Sequence, residues 1–144
     1  MKTITKNRKA FFDYNVLDTY ITGIKLLGSE VKSIRINGLN ISDSYCFISD
    51  NEIFIKGMNI PQLKTSIYDN HEPTRVRKLL LKKKEINKIS ISTSTDKLSI
   101  IPLEIILSES NFIKVKIGIC RGKKAYDKSK AIKERDIKRE IKNL

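Results

Sequence analysis

Histidine and cysteine are almost missing from this 144-residue chain, which has one His, two Cys and no Trp. A structural zinc site takes four Cys or His ligands at short, regular spacings, and His71, Cys46 and Cys120 cannot supply them. Neither cysteine has a CxxC partner, and each stands in an alternating apolar stretch, which reads as a buried, reduced thiol acting as a small hydrophobe. Long hydrophobic runs are missing too. None exceeds four residues, where a membrane-spanning helix needs about 20. The basic opening, Met1 to Lys9, leads into no apolar stretch ending in a small-residue cleavage site. The expectation is a cytoplasmic protein with no membrane partner. The six glycines form neither GxGxxG nor a Walker loop. No nucleophile stands beside a base, and Asp13, Glu30, Asp43 and Asp69 lie on different elements. His71, just before Glu72-Pro73, reads as a surface or helix-entry residue. These absences point away from an enzyme and towards a binding protein without cofactor or metal.

What the chain has in excess is positive charge: 29 Lys and Arg against 16 Asp and Glu, a net +13. A compositional bias would spread that excess evenly, but it is concentrated. Residues 75–88 carry seven basic groups and one acidic, residues 121–144 ten and four, so that each segment holds +6 while the rest is almost neutral. Clustered charge builds the local potential that attracts a phosphate backbone and releases its counterions. An anionic membrane surface fits less well, because an interfacial helix sets bulky Trp, Phe or Leu against its lysines, and the tail offers Ile and one Leu.

The length fits one hydrophobic core. Phe11 to Lys25, rich in β-branched and aromatic residues, predicts a strand or a bent pair of strands. Leu27, Val31 and Ile34 predict a short helix, with Ser29 as its cap and Asn37-Gly38 as its stop. Tyr45–Ser49 and Glu52–Lys56 alternate around Asp50-Asn51, the pattern of a hairpin. Residues 61–71 have no period and read as an exposed loop. Pro73-Thr74 then opens a predicted helix that buries Val76, Leu79, Leu80, Ile86 and Ile89 and turns Arg77, Lys82, Lys84 and Lys88 elsewhere. Two further strands are expected over residues 97–107 and 111–120. After Gly122, Ile137, Ile141 and Leu144 make a stripe too thin to hold a helix against a core. The segment reads as an arm, disordered alone and helical on a partner.

Seven short blocks, taken in order, match one family: Asn7-Arg8-Lys9-Ala10, Asp13-Tyr14, Gly28 to Arg35 (GSEVKSIR), Ser42-Asp43-Ser44-Tyr45, Pro73 to Leu81 (PTRVRKLLL), Lys114 to Gly118 (KVKIG) and Gly122 to Lys128 (GKKAYDK). On these blocks the chain resembles the SsrA-binding protein, or SmpB, family from about residue 7 onward. The resemblance implies a mainly β fold, an oligonucleotide-binding-type antiparallel barrel with flanking short helices, over residues 1–120, and a basic arm over 121–144. It implies a monomeric, non-catalytic partner of transfer-messenger RNA (tmRNA, the SsrA RNA). The barrel would stand in for part of a tRNA and bring the alanine-charged RNA, with the elongation machinery, to stalled ribosomes. The arm would occupy the decoding centre and the empty mRNA channel.

Carried over position by position, the resemblance assigns RNA contact or support to Arg8, Lys9, Glu30, Lys32, Arg35, Tyr45, Leu80, Lys123 and Lys124. To the arm's ribosome contact it assigns Tyr126, Asp127, Lys128, Lys133, Arg135, Lys138 and Arg139, with Tyr126 placed to stack on a ribosomal base. Tyr45 and Leu80 have a second reading, as builders of the core. Three positions depart from the family: Ser129 stands where arginine is common, Lys82 where some members have an RNA-contacting asparagine, and Ile21 where a glutamate occurs. Charge alone also fits a ribosomal or ribosome-assembly protein on rRNA. A small nuclease is the third reading, and it requires divalent-metal-dependent cleavage.

Overall fold

A computed structural model describes residues 1–64 and 70–123. Its elements are β1 (Lys2–Lys6), α1 (Arg8–Asp13), β2 (Tyr14–Ile24), α2 (Gly28–Asn37), β3 (Tyr45–Ser49), β4 (Glu52–Lys56), β5 (Arg77–Leu80), α3 (Lys83–Asp96), β6 (Ser99–Leu107) and β7 (Ile113–Gly122). The strands pair in the order β1-β6-β3-β4-β5-β2-β7, and β7 also pairs with β6. Six antiparallel strands therefore close into a barrel, and β1 extends the β6 edge beyond its single pairing with β3 at Cys46↔Ile100. This is the expected barrel of the oligonucleotide-binding type.

Inside it, Ile53, Ile55, Leu79, Ile105, Val115 and Ile117 are fully buried, and Ile34 of α2 and Ile86 and Ile89 of α3 pack against them. A second, smaller cluster lies outside the barrel wall, under α1: Ala10, Ile101, Leu103 and Cys120, with Tyr14 and Val16. Two bulges make both clusters possible. Side chains on a strand alternate faces, so a one-residue insertion reverses them. In β2 the register shifts between Val16 and Asp18, so Tyr14 and Val16 face α1 while Tyr20 and Ile24 face the barrel interior. In β6 the shift lies between Pro102 and Glu104, so Ile101 and Leu103 face out and Ile105 faces in. The bulge is also where the strand accommodates Pro102, which has no N–H to give a ladder.

Gly118 belongs to this arrangement. A Cβ there would lie 2.7 Å from Leu103 Cδ1 and 3.0 Å from Cys120 Sγ, both in a closed cluster. Gly118→Ala should therefore overpack the seam beneath α1 and lower stability by about 1–3 kcal/mol, measured by urea unfolding.

Several expectations hold. The β3–β4 hairpin turns at Asp50-Asn51, both in the left-handed region (φ 50° and 61°), as a two-residue hairpin loop requires. Both cysteines are free and buried, and burial pushes the Cys120 thiol up to about 11 and Cys46 higher still. No described helix is long and apolar enough to cross a membrane.

Others need correction. The helix expected from Pro73 is a strand followed by a helix. Arg77 and Leu79 are buried while Leu80 is exposed, a two-residue alternation that pairs with β4 on one side and β2 on the other. Barrel closure needs a strand at this place, and that overrides the local helical spacing. Val76 is exposed, and α3 starts only at Lys83, where Glu85 Oε1 accepts the Lys82 N–H at 3.1 Å. The helix then runs on through the Ser/Thr-rich stretch to Asp96, with the Thr93 and Ser94 hydroxyls donating to carbonyls one turn back. Of the strand or bent strand pair expected over Phe11 to Lys25, the single strand is found, as β2, but Phe11 to Asp13 belong to α1, and β1 went unread in the basic opening. His71 is buried rather than at the surface: its ring nitrogens lie 2.8 Å from Ile60 O and 3.0 Å from Ser29 Oγ. Ser29 is thus engaged with His71, and α2 is capped by Glu30 Oε1 accepting the Leu27 N–H at 2.7 Å.

Candidate nucleic-acid interface

Asn7 anchors the first group of assigned residues. Its Oδ1 accepts the Ala10 N–H at 3.1 Å as an N-cap, its Nδ2 donates to Ile41 O and Pro102 O at 3.1 and 3.0 Å, and its backbone N–H donates to Leu103 O at 2.8 Å. Its side-chain amide and its backbone N–H are all engaged while the residue is buried. That fixes the start of α1 on the barrel wall and leaves Arg8 and Lys9 exposed. Lys123 comes to the other end of the same helix. Its N–H donates to Asp13 O at 2.9 Å and its Nζ to Phe11 O at 3.2 Å. Lys6 adds a fourth cation, its Nζ 4.9 Å from the centre of the Phe11 ring.

The field here is mixed in sign. Lys9 Nζ lies 3.1 Å from Asp43 Oδ1, an exposed pair whose hydrogen bond and charge raise the Lys9 pKa above the usual lysine value. Exposed pairs of this kind hold weakly, so Lys9 remains available to a phosphate. Beside it, a groove of about 250 Å³ is lined by Lys9, Asp13, Tyr14, Ser42 and Tyr45. Tyr45 is 46% exposed, so the reading of it as a core residue does not hold.

Glu30 lies elsewhere and is fully buried. Its Oε1 accepts from Arg75 Nη2 at 2.6 Å and its Oε2 from Arg77 Nε at 2.5 Å. Burial pushes its carboxyl up, but hydrogen bonds from Arg75, the Leu27 N–H and Arg77 outweigh this and hold it below the usual carboxylate value. Arg77, also buried, donates onward to Met58 O at 2.8 Å and Pro73 O at 3.1 Å. Glu30 thus ties α2 to β5 and to the chain leading into it, and leaves Lys32 and Arg35 exposed on α2.

Leu80 stands at a third place, 52% exposed on the barrel's outer face and opposite Gly23. It too is not a core residue. With Ile21, Lys78, Lys82 and Lys114 it lines a groove of about 490 Å³. Two of the three positions that depart from the family, Ile21 and Lys82, therefore lie beside an assigned one. Lys78 was foreseen only as one charge of the basic segment 75–88 and Lys114 not at all, since distant strands bring them together.

The assigned residues thus form three groups: Arg8, Lys9, Tyr45 and Lys123 around α1, Lys32 and Arg35 on α2 above Glu30, and Leu80 on β5. Lys124, Tyr126, Asp127, Lys128, Lys133, Arg135, Lys138 and Arg139 lie outside the described residues. So does most of the arm, although β7 itself runs through Arg121 to Gly122. Among the described residues no group of three or more His, Cys, Asp or Glu could hold a metal ion.

Comparison with known proteins agrees on one family. A model described as SmpB protein matches residues 4–144. The SsrA-binding protein of Thermosipho africanus is 45% identical over 141 residues, 98% of this chain and 95% of the relative. That of Acholeplasma laidlawii is 48% identical over 140 residues, 97% and 93% of the two chains. A solved structure described as "tmRNA-SmpB: a journey to the center of the bacterial ribosome" superposes with a TM-score of 0.69 at 37% identity, covering 84% of this chain and 85% of the other.

Proposed function

The chain belongs to the SmpB protein family, and from that premise we propose that it binds tmRNA and delivers it to stalled ribosomes for trans-translation, as an adaptor and not as a catalyst. The observation that carries the reading is the α1 surface: Arg8, Lys9 and Lys123, from opposite ends of the sequence, are held around one helix beside the exposed Tyr45 ring. Cations meet the phosphate backbone there, and the ring offers an unpaired base a stacking face. Glu30 serves from beneath, by fixing α2 and β5. Leu80 and its basic neighbours extend the RNA-facing surface, and the arm from Lys124 serves the ribosome. We place its work in the cytoplasm.

Purification of the full chain from its own cells, followed by sequencing of bound RNA, tests this directly. One dominant small stable RNA with a tRNA-like end is the expected result. Ribosomal RNA retained in stoichiometric amounts at high salt would reject the reading in favour of a ribosomal protein. The interface itself makes a finer prediction. Arg8→Ala, Lys9→Ala and Lys123→Ala should each reduce the slope of log Kd against log salt by roughly one unit. An unchanged slope in all three would remove α1 from the interface.

A further inference from the structure

We infer that the outer face of the β3–β4 hairpin is a stacking platform for unpaired RNA bases, a surface that starts at Tyr45 beside the α1 cations and continues beyond them over Phe47 and Phe54. The inference rests on the RNA-binding reading above. Three aromatic rings form a continuous row on this face. Phe47 stands opposite Phe54 in the ladder, and their rings stack at 5.6 Å with 24° between planes. Tyr45, two residues before Phe47 on the same side of the strand, lies 6.5 Å from it at 48°.

The pairing also fixes what surrounds the rings. Lys56 lies opposite Tyr45, and Lys78 of β5 lies opposite Phe54. The row thus has a lysine beside each end. Lys56 is exposed, and Lys78 is held at 3.5 Å from Glu52 by an accessible ion pair that a phosphate can displace. Beside Tyr45 and Phe47, β3 has only one ladder pairing with β6, and the gap beyond it is a groove of about 460 Å³ that Tyr14, Thr93 and Ser99 also line. Hydroxyls and aromatic faces together suit a base edge and its ring.

A row of rings on an outer barrel face is not needed to close the core, which Cys46, Ile53 and Ile55 fill from the opposite side of the same two strands. Successive π-faces flanked by lysines are what a single strand of any sequence can use: stacking on the rings, phosphates on the cations. A duplex, whose bases are already stacked on one another, cannot use them.

The experiment compares two probes on the full chain: a single-stranded RNA of about ten nucleotides carrying 2-aminopurine, and a blunt duplex of the same length. Phe47→Leu and Phe54→Leu keep apolar bulk but remove the ring, and Phe47→Tyr keeps it. The unsubstituted chain and Phe47→Tyr should stack on and quench the 2-aminopurine of the single strand. Each leucine variant should bind that strand about tenfold more weakly, with duplex affinity unchanged. Equal single-strand binding by the leucine variants, or equal losses on both probes, overturns the platform. Failure of the unsubstituted chain to bind either probe or a tRNA-like RNA would instead overturn the RNA-binding reading on which it rests.

Discussion

Glu30→Ala is expected to be among the most damaging single substitutions in the barrel, costing about 3–5 kcal/mol and lowering Tm by roughly 10 °C or more. The loss is not that of an attractive pair alone. Removing the carboxylate leaves the Arg77 guanidinium at 0% side-chain exposure with no counter-charge and releases Arg75 and the capped Leu27 N–H together. The acid dependence has a definite sign. The folded carboxyl titrates below its reference value of 4.5, so its contribution is complete above that value and fades as the pH falls through the folded value. Glu30→Gln should therefore flatten the acid limb of the stability profile. In Glu30→Leu combined with Arg77→Met, part of the loss should return, because no uncompensated charge is left inside. Urea unfolding across pH reads all three, and a Glu30→Ala variant within about 1 kcal/mol of the parent would show that α2 and β5 are held by something else.

Ending the chain after Ala125 is expected to separate the two proposed activities. The removed residues 126–144 carry seven Lys or Arg and four Asp or Glu, so a loss by simple charge would be visible as a shallower salt slope on tmRNA. If the barrel alone holds the RNA, that slope and the affinity should stay close to those of the full chain. Tagging of peptides on stalled ribosomes should be abolished, because the arm is the part proposed to fill the decoding centre and the mRNA channel. Undiminished tagging would end that assignment. A collapse of tmRNA affinity would move the arm to the RNA side of the interface.

The sequence disclosed most where period and local chemistry agreed. The β3–β4 hairpin was legible because alternation and a turn dipeptide coincide, and α2 because Val31 and Ile34 follow Leu27 at helical spacing. Arg77 to Leu80 was not, since its apolar residues fit a helix locally and only the gap between β4 and β2 makes them a strand. Arg77 was placed on a solvated face for the same reason: its partner Glu30 is 47 residues away. The two bulges left no mark in the hydrophobic pattern beyond an odd proline, and the second cluster under α1 depends on them. The assigned cations around α1 came from the family resemblance. Charge counting had pointed to residues 75–88 and 121–144, which take in Lys123 but neither Arg8 nor Lys9, and nothing local brings Lys123 to Phe11.

Those bulges have a consequence for recognition. With the reversal of faces inside β2 and β6, the same two strands that line the barrel interior also form the bed of α1. Only backbone separates the two, and Asn7 ties the start of α1 to that backbone at Pro102 O and Leu103 O, and to Ile41 O outside it. The cations proposed to meet phosphate are therefore carried around a helix whose first turn is hydrogen-bonded to the barrel wall. A ligand that meets them finds the backbone already in position, and the ordering cost of association falls mainly on lysine and arginine side chains.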